Sequence, residues 1–480
     1  MKKQNILYGI FEAFFLTTLC LIVVISLMEV QYHIAWYKEA FVMAVWLICL
    51  AVMGFVLKKL EKWLEKHERI LFPAFCFLWG ILLYVFSCFI RNTPSQDYDA
   101  VYTAAANYAA GEEIEWWYFA TWKNNYFLFL ILGNFMKFSS LLGLRDPFYL
   151  ILLFSVGMAV WGGICIYLLL ADTNQSVMLR WTGLLLFVGF IPLWGGTQNF
   201  YTDAMSICFG VWACLLVERA LRKKISGRNY LYAGLLWGAG YAIKATSAIS
   251  MLAALLILLT AVKWKEWLRV FLAVMIGFLI VSGGVECLWQ LSPGHKMEDE
   301  LAAPLEYWLA LGSAGDGSYL DNAEFADACI GTVGKEAKRE LARAYIKEQE
   351  LFSPGHWKRK IRYNFATGLF GLIDFHDDPA GRGYDFFNDW GTYGGYVAML
   401  TTGYFYAILA LGAVSCLFVL HGIRKGRTPH MTELTAQLTI FGLILFLMIW
   451  EANNRQLYNH MPWLAMIGAF GLAGVFGRKA

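Results

Sequence analysis

Unbroken apolar runs of spanning length recur along the chain, at 6–28, 39–57, 70–90, 148–171, 268–290, 394–420, 434–450 and 460–476. Each is long enough for a helix to cross the ~30 Å of bilayer hydrocarbon. Two further regions, 181–218 and 229–262, are too long for one crossing and short for two complete ones at 1.5 Å per residue. Their flanks set the direction: Arg180 precedes the first, ERALRKKISGR lies between them and KWKEWLR follows the second. With all three flanks cytoplasmic, each region is expected to be a hairpin of two short helices, turning at GGTQNFYTD and at KATS. This predicts about twelve spans with both termini inside, and it gathers the Lys and Arg of the short loops, beginning with Lys2, Lys3 and KKLEKWLEKHER, on the inner side.

Two segments stand apart. YFLFLILGNFMKFSSLL at 126–142 is apolar but carries Asn134 and Lys137. Counting it as a crossing would turn ERALRKKISGR outward, so it is expected to lie in the outer interface. Residues 291–393, with PGHKMEDE, GSAGDGSYLDN, KEAKRELARAYIKEQE and DFHDDPAGRGYD, form one large extracytoplasmic segment. The expected organisation is two N-terminal spans with a cytoplasmic loop (1–69), a catalytic core (70–290) with a first outer loop at 91–147, the outer segment (291–393), and C-terminal spans (394–480). No internal repeat and no low-complexity tract is visible.

Composition agrees with the pattern. The 480 residues are 59% hydrophobic and 16% charged, with mean hydropathy +0.51, too apolar for a soluble core. The first run lacks a small-residue cleavage site and reads as a retained helix. A net charge of +3 with scattered basic residues gives no nucleic-acid footprint. The ten cysteines include no CxxC pair, so neither a disulfide framework nor a zinc site is indicated. The sequon Asn174-Gln175-Ser176 falls in a cytoplasmic loop and carries no weight.

Against this background the polar residues at the outer edge matter. They are Asp97 and Asp99 in TPSQDYDA, Asp203 in YTD, Lys244 in KATS, and Glu451 and Arg455 in EANNRQLYNHMP. Facing lipid, such groups cost at least ~2.5 kcal/mol each, so they are expected to line a wet cavity and pair. Each also has a plainer reading. Asp99 suits a solvated loop, Asp203 a helix N-cap, Lys244 a snorkelling side chain, and Glu451 with Arg455 an i,i+4 ion pair. The run Asp374-Phe375-His376-Asp377-Asp378 suits a solvated turn or, less readily, a divalent cation. Trp116, Trp117, Tyr118 and Trp122 suit an interfacial belt or a sugar-stacking platform.

The order of these features resembles the GT-C superfamily of polyprenyl-phosphate-sugar glycosyltransferases, in particular bacterial relatives of protein mannosyltransferases and aminoarabinose transferases. The residues that carry it are P-x-x-D-Y from Pro94 to Tyr98, W-x-N-N from Trp122 to Asn125, YTD, the break at KATS, P-x-x-x-W-L-A-L-G-S with G-x-Y-x-x-N at Gly317 to Asn322, and E-x-x-x-R at Glu451 to Arg455. The resemblance implies an all-α polytopic membrane protein, GT-C-like, with outer interfacial helices. It implies a multi-pass enzyme of the bacterial plasma membrane whose site opens outside. The sugar donor would be a polyprenyl phosphate, and the acceptor a cell-envelope polymer, lipid or protein. It places catalytic carboxylates at Asp97 and Asp203, with Asp99 as an alternative base. Lys244 and Arg455 would hold the lipid phosphate, with Glu451, Trp122, Asn125 and Tyr201 in the substrate site. The chain departs from the family in W-K-N-N, where Y-P-x-N is common, and in two extra spans before the catalytic loop. A transporter or lipid-linked sugar flippase is the alternative, for which broken helices are the mark.

Overall fold

A computed structural model describes residues 3–28, 35–173, 176–349 and 353–476. The sequon residues Asn174 and Gln175, and Lys2, lie outside the described residues. Helices make up all regular structure among them, with no strand. Among the described residues seven helical stretches are long and apolar enough to cross a membrane: Gln4–Met28, Trp36–Phe89, Phe148–Thr173, Thr202–Leu221 with a turn at 206–208, Trp264–Gln290, Gly394–Arg424 and Met431–Ile449. Shorter helices lie where further spans are expected, at Val177–Val188, Asn229–Ile243, Ala248–Ala261 and Met461–Val475.

The first helix, α1 (Lys3–Met28), is followed by α2 (Trp36–Phe89), which runs unbroken through KKLEKWLEKHER. That stretch, expected as a loop, is helical because Lys, Leu and Glu are strong helix formers, helped by pairs such as Lys58 with Glu61 at 2.8 Å. The expected boundary at residue 70 therefore falls inside a helix. A straight helix would put residues 46 and 79 roughly 50 Å apart. Instead Trp46 packs on Tyr404, the Tyr404 hydroxyl donates to Leu186 O at 2.7 Å, and neighbouring Phe187 packs on Trp79. So α2 folds back on itself, with the charged stretch near its bend. Ser176 donates to Glu61 at 2.9 Å and Arg180 pairs with Glu68 at 2.9 Å, holding the bend to the start of helix Val177–Val188.

Lipid-facing and central helices differ in what they leave bare. Phe14, Phe41, Phe77, Ile276 and Ile280 are exposed on α1, α2 and Trp264–Gln290, a surface that hydrocarbon would cover. Met461–Val475 is buried nearly all round and packs between Gly394–Arg424 and Val177–Val188. Glycines set the closest approach: a Cβ at Gly234 would strike Val274 O and one at Gly277 would strike Leu231 O, so helices Asn229–Ile243 and Trp264–Gln290 meet backbone to backbone.

At the polar end, α3 (Gln96–Ala110) follows α2 directly. Helix Tyr126–Leu141 lies against α3, its Lys137 ammonium 3.4 Å from the Tyr108 ring centre. The outer segment builds a small core from Tyr307, Leu311, Phe325, Cys329 and Ala342 on helices Leu305–Ser313, Ala323–Gly331 and Lys335–Lys347.

Candidate active site

The two carboxylates of TPSQDYDA share the first turn of α3. Residues two apart on a helix point about 200° apart, so the pair divides. Asp99 is exposed and accepts a hydrogen bond from Thr103 Oγ1 at 3.1 Å; Asp97 turns inward. The exit of α2 fixes that direction. Gln198 accepts from Asn92 N at 3.0 Å and donates to Ile90 O at 2.9 Å, Asn92 donates to Phe375 O, and Ser95 donates to Asp374 O at 3.0 Å. Gln96 adopts φ 52° to start the helix, a costly conformation for a non-glycine residue.

Asp97 meets three partners. Tyr118 donates to Oδ1 at 3.1 Å, the Tyr201 hydroxyl lies 3.4 Å from Oδ2, and Arg455 Nη2 lies 3.8 Å from Oδ2. Asn125 ties the two tyrosines together, donating to Tyr118 Oη at 2.7 Å while its Oδ1 lies 3.2 Å from Tyr201 Oη. The Asp97 side chain stays 42% exposed whereas that of Arg455 is 12% exposed, so the carboxylate faces the opening and the cation lies beneath.

Arg455 stands on the turn between helices Met431–Ile449 and Met461–Val475. Its guanidinium is 5.5 Å from the ring centres of both Tyr201 and Phe375, and Asn453 Oδ1 accepts from its backbone N at 3.1 Å. Gly371, at φ +77°, lets the side chain pass; a Cβ there would overlap Arg455 Cγ. Burial works against the charge, but Tyr201, Asp374, Asp203 and Asp97 around it hold the guanidinium firmly protonated. Burial also raises Asp374, with Asp377, Asp203 and Asp97 adding to the effect and Arg455 opposing it. Burial pushes Glu451 up to about 7, against the pull of Arg455 and Lys244. Arg455 thus pairs with Asp97 rather than forming the expected i,i+4 contact with Glu451.

Lys360, on helix Pro354–Phe365, positions this turn. Its ammonium is buried and donates to Gly312 O at 2.8 Å and Trp450 O at 2.6 Å, carbonyls at the C-terminal ends of two helices. Burial lowers it to about 7, opposed by Glu451 and Asp316.

The two broken hairpins deliver the second pair. Asp203 sits in the one-turn helix Thr202–Met205, after the break that follows Val188. Lys244 is the extended residue between helix Asn229–Ile243 and the turn Ala245–Ser247. They meet at 2.9 Å, with side chains only 6% and 17% exposed. Tyr201, not Asp203, stands at the N-cap of that short helix, Asp203 Oδ2 accepts no hydrogen bond, and Lys244 reaches inward instead of snorkelling. The contact engages one oxygen of the Asp203 carboxylate, Oδ1.

The structure therefore brings together Asp97, Asp203, Lys244, Glu451, Arg455, Asn125 and Tyr201. It does not bring in Asp99 or Trp122. Trp122 instead packs on Tyr307 and Trp308, ring centres 5.7 and 5.3 Å away, joining the first loop to the outer segment. Sequence reasoning missed Asp374 and Tyr118 as neighbours of Asp97, the first because its acidic run reads as a turn, the second because WWY reads as a belt. The DFHDD run does not converge: His376 is buried, kept neutral by burial with its pKa at about 4, and lies 3.1 Å from Gly195 O, while Asp378 accepts from Thr93 at 2.9 Å. Among the described residues no group of three His, Cys, Asp or Glu side chains is placed to hold a metal ion.

Such a constellation suits group transfer at a membrane edge: a half-open carboxylate beside buried cations. Residues 134–285 match the family model of dolichyl-phosphate-mannose-protein mannosyltransferases. That stretch includes Asp203 and Lys244 and lies between Asp97 and Arg455 in the chain. No curated protein and no solved structure matches the chain. Seven helical stretches among the described residues are long and apolar enough to span a membrane, so the chain is a multi-pass membrane protein, and part of its helical core is similar to that family of GT-C-type glycosyltransferases.

Proposed function

We propose that the protein moves a sugar from a polyprenyl-phosphate donor to an acceptor hydroxyl on the extracytoplasmic side of a bacterial plasma membrane. The carrying observation is the contact of half-exposed Asp97 with buried Arg455, beside the buried pair of Asp203 and Lys244. In the transfer, the acceptor oxygen bonds to the anomeric carbon as the bond from that carbon to the phosphate oxygen breaks. The acceptor proton passes to an Asp97 oxygen. The phosphate departs with the bonding pair, and Arg455 and Lys244 meet its growing negative charge at fixed positions. Tyr118 and Asn125 hold the Asp97 carboxylate in line, and the donor's tail remains in the bilayer. Inversion at the anomeric carbon follows from the resemblance to the superfamily. The acceptor class is a cell-envelope polymer, lipid or protein.

Purified protein supplied with radiolabelled polyprenyl-phosphate sugars tests this reading. Label in an acceptor supports transfer. The broken helices at Asp203 and Lys244 favour one rival, a lipid-linked sugar flippase. In proteoliposomes that rival predicts movement of intact donor with no bond cleaved, an outcome that would overturn the transferase reading.

A further inference from the structure

Asn459 lies on the 3-10 turn Asn454–His460 that also carries Arg455. At three residues per turn, side chains four apart point about 120° apart. Arg455 faces Asp97, and Asn459 faces the two broken hairpins. Its Nδ2 lies 3.4 Å from Ser206 Oγ, 3.3 Å from Thr246 Oγ1 and 3.4 Å from Ser247 Oγ. Ser206 directly follows the short helix of Asp203, and Thr246 and Ser247 belong to the turn after Lys244. All four side chains are buried, where a hydrogen bond is stronger than in water.

A neighbour fixes which way the amide points. His460 Nδ1 lies 3.0 Å from Gln456 O and 2.6 Å from Asn459 Oδ1. A backbone carbonyl only accepts, so Nδ1 carries a hydrogen and the Asn459 atom beside it is the oxygen. That turns the NH2 group toward the hydroxyls, with two hydrogens shared among three oxygens from two hairpins.

Residues at a helix break stand outside the ladder of backbone bonds, and Asp203 and Lys244 both do work there. Their own ion pair joins the breaks at 2.9 Å, but a lipid phosphate reaching Lys244 would compete for that ammonium. The tie through Asn459 involves neither charge, so it persists when an anion arrives. Resting on the transferase reading, we propose that Asn459 is a positioning residue: it holds the break that carries Lys244 at a fixed distance from Arg455, so that two cations already in place meet one phosphate. Charges preset in this way need no rearrangement as the phosphate departs.

The test measures binding of polyprenyl phosphate to the full-length protein in nanodiscs, well below the melting temperature. Asn459→Ala is expected to weaken it about tenfold. In the background Asp203→Asn with Lys244→Met, which leaves no lone charge buried, the same substitution is expected to change affinity by less than about twofold, because the cation it places is gone. A merely structural loss would weaken both backgrounds alike. Thr246→Val with Ser247→Ala removes the hydroxyls of the Lys244 break and leaves the amide in place. Should alanine at 459 disturb folding, this pair is expected to show the same dependence on Lys244. Wild-type affinity in both variants, or an equal loss with and without Lys244, overturns the role. Failure of the transferase reading looks different: Lys244-dependent binding with no product from radiolabelled donor in wild type. If no lipid phosphate binds wild type, both fall.

Discussion

Arg455 Nη2 and Asp97 Oδ2 lie 3.8 Å apart, joining the turn before the last helix to the first turn after α2. The carboxylate opens outward while the cation is buried, an asymmetry that supports the proposed role of Asp97 as proton acceptor. Asp97→Asn should lower transfer by about 10²–10⁴-fold while donor binding persists. Asp99→Asn, on the opposite face of α3, should stay within about threefold. Single-turnover assays with saturating donor read both; an Asp99 variant as crippled as the Asp97 one would move the base.

Gly371 offers a way to displace Arg455 without altering it. Alanine there would overlap Arg455 Cγ at a backbone φ of +77°, disfavoured for any side chain. Gly371→Ala should therefore weaken donor binding in the manner of Arg455→Met. Titration with polyprenyl phosphate compares them, and wild-type affinity in the alanine variant would show that the guanidinium position is not critical.

Asp203 and Lys244 should behave as a unit. Removing one partner of a buried ion pair leaves an uncompensated charge, at a cost of about 3–5 kcal/mol. Asp203→Asn and Lys244→Met should each lower the thermal midpoint strongly, and the double variant should lose less than their sum. Additive losses would mean that the 2.9 Å contact carries no coupling.

Glu451 and Lys360 predict opposite pH slopes of stability. The Glu451 pKa is raised in the fold to about 7, so its contribution is complete below its unfolded value and is lost as pH rises to 7. The Lys360 pKa is lowered to about 7, so its contribution is lost as pH falls from its unfolded value toward 7. Relative to wild type, Glu451→Gln should flatten the fall in melting temperature from about pH 4.5 to 7. Lys360→Met should remove the rise from about pH 7 to 10.5. Unfolding scans across that range decide each separately.

Much of the architecture is readable because apolar length and basic flanks are local signals. The hairpin turns at GGTQNFYTD and KATS could be placed from Arg180 and ERALRKKISGR alone, and helices break at both. The continuity of α2 could not, since a Lys- and Glu-rich stretch serves equally as loop or exposed helix. Asp97, Asp203, Lys244 and Arg455 stood out because charge is rare beside apolar runs. Asp374 and Tyr118 did not, because what marks them is a neighbour from another part of the chain. Trp122 shows the converse: an aromatic near a membrane edge has several uses, and only the fold reveals that it holds the outer segment.

The unbroken course of α2 also fixes the rotational phase between its two limbs. A flexible linker absorbs an added residue at little cost, but a helix turns everything beyond it by about 100°. A single residue gained or lost between Lys58 and Glu68 would swing Trp79 and Leu83 off the bundle and aim Asn92 away from Gln198. Alanine insertions there, read by whether the protein still assembles, would expose that constraint.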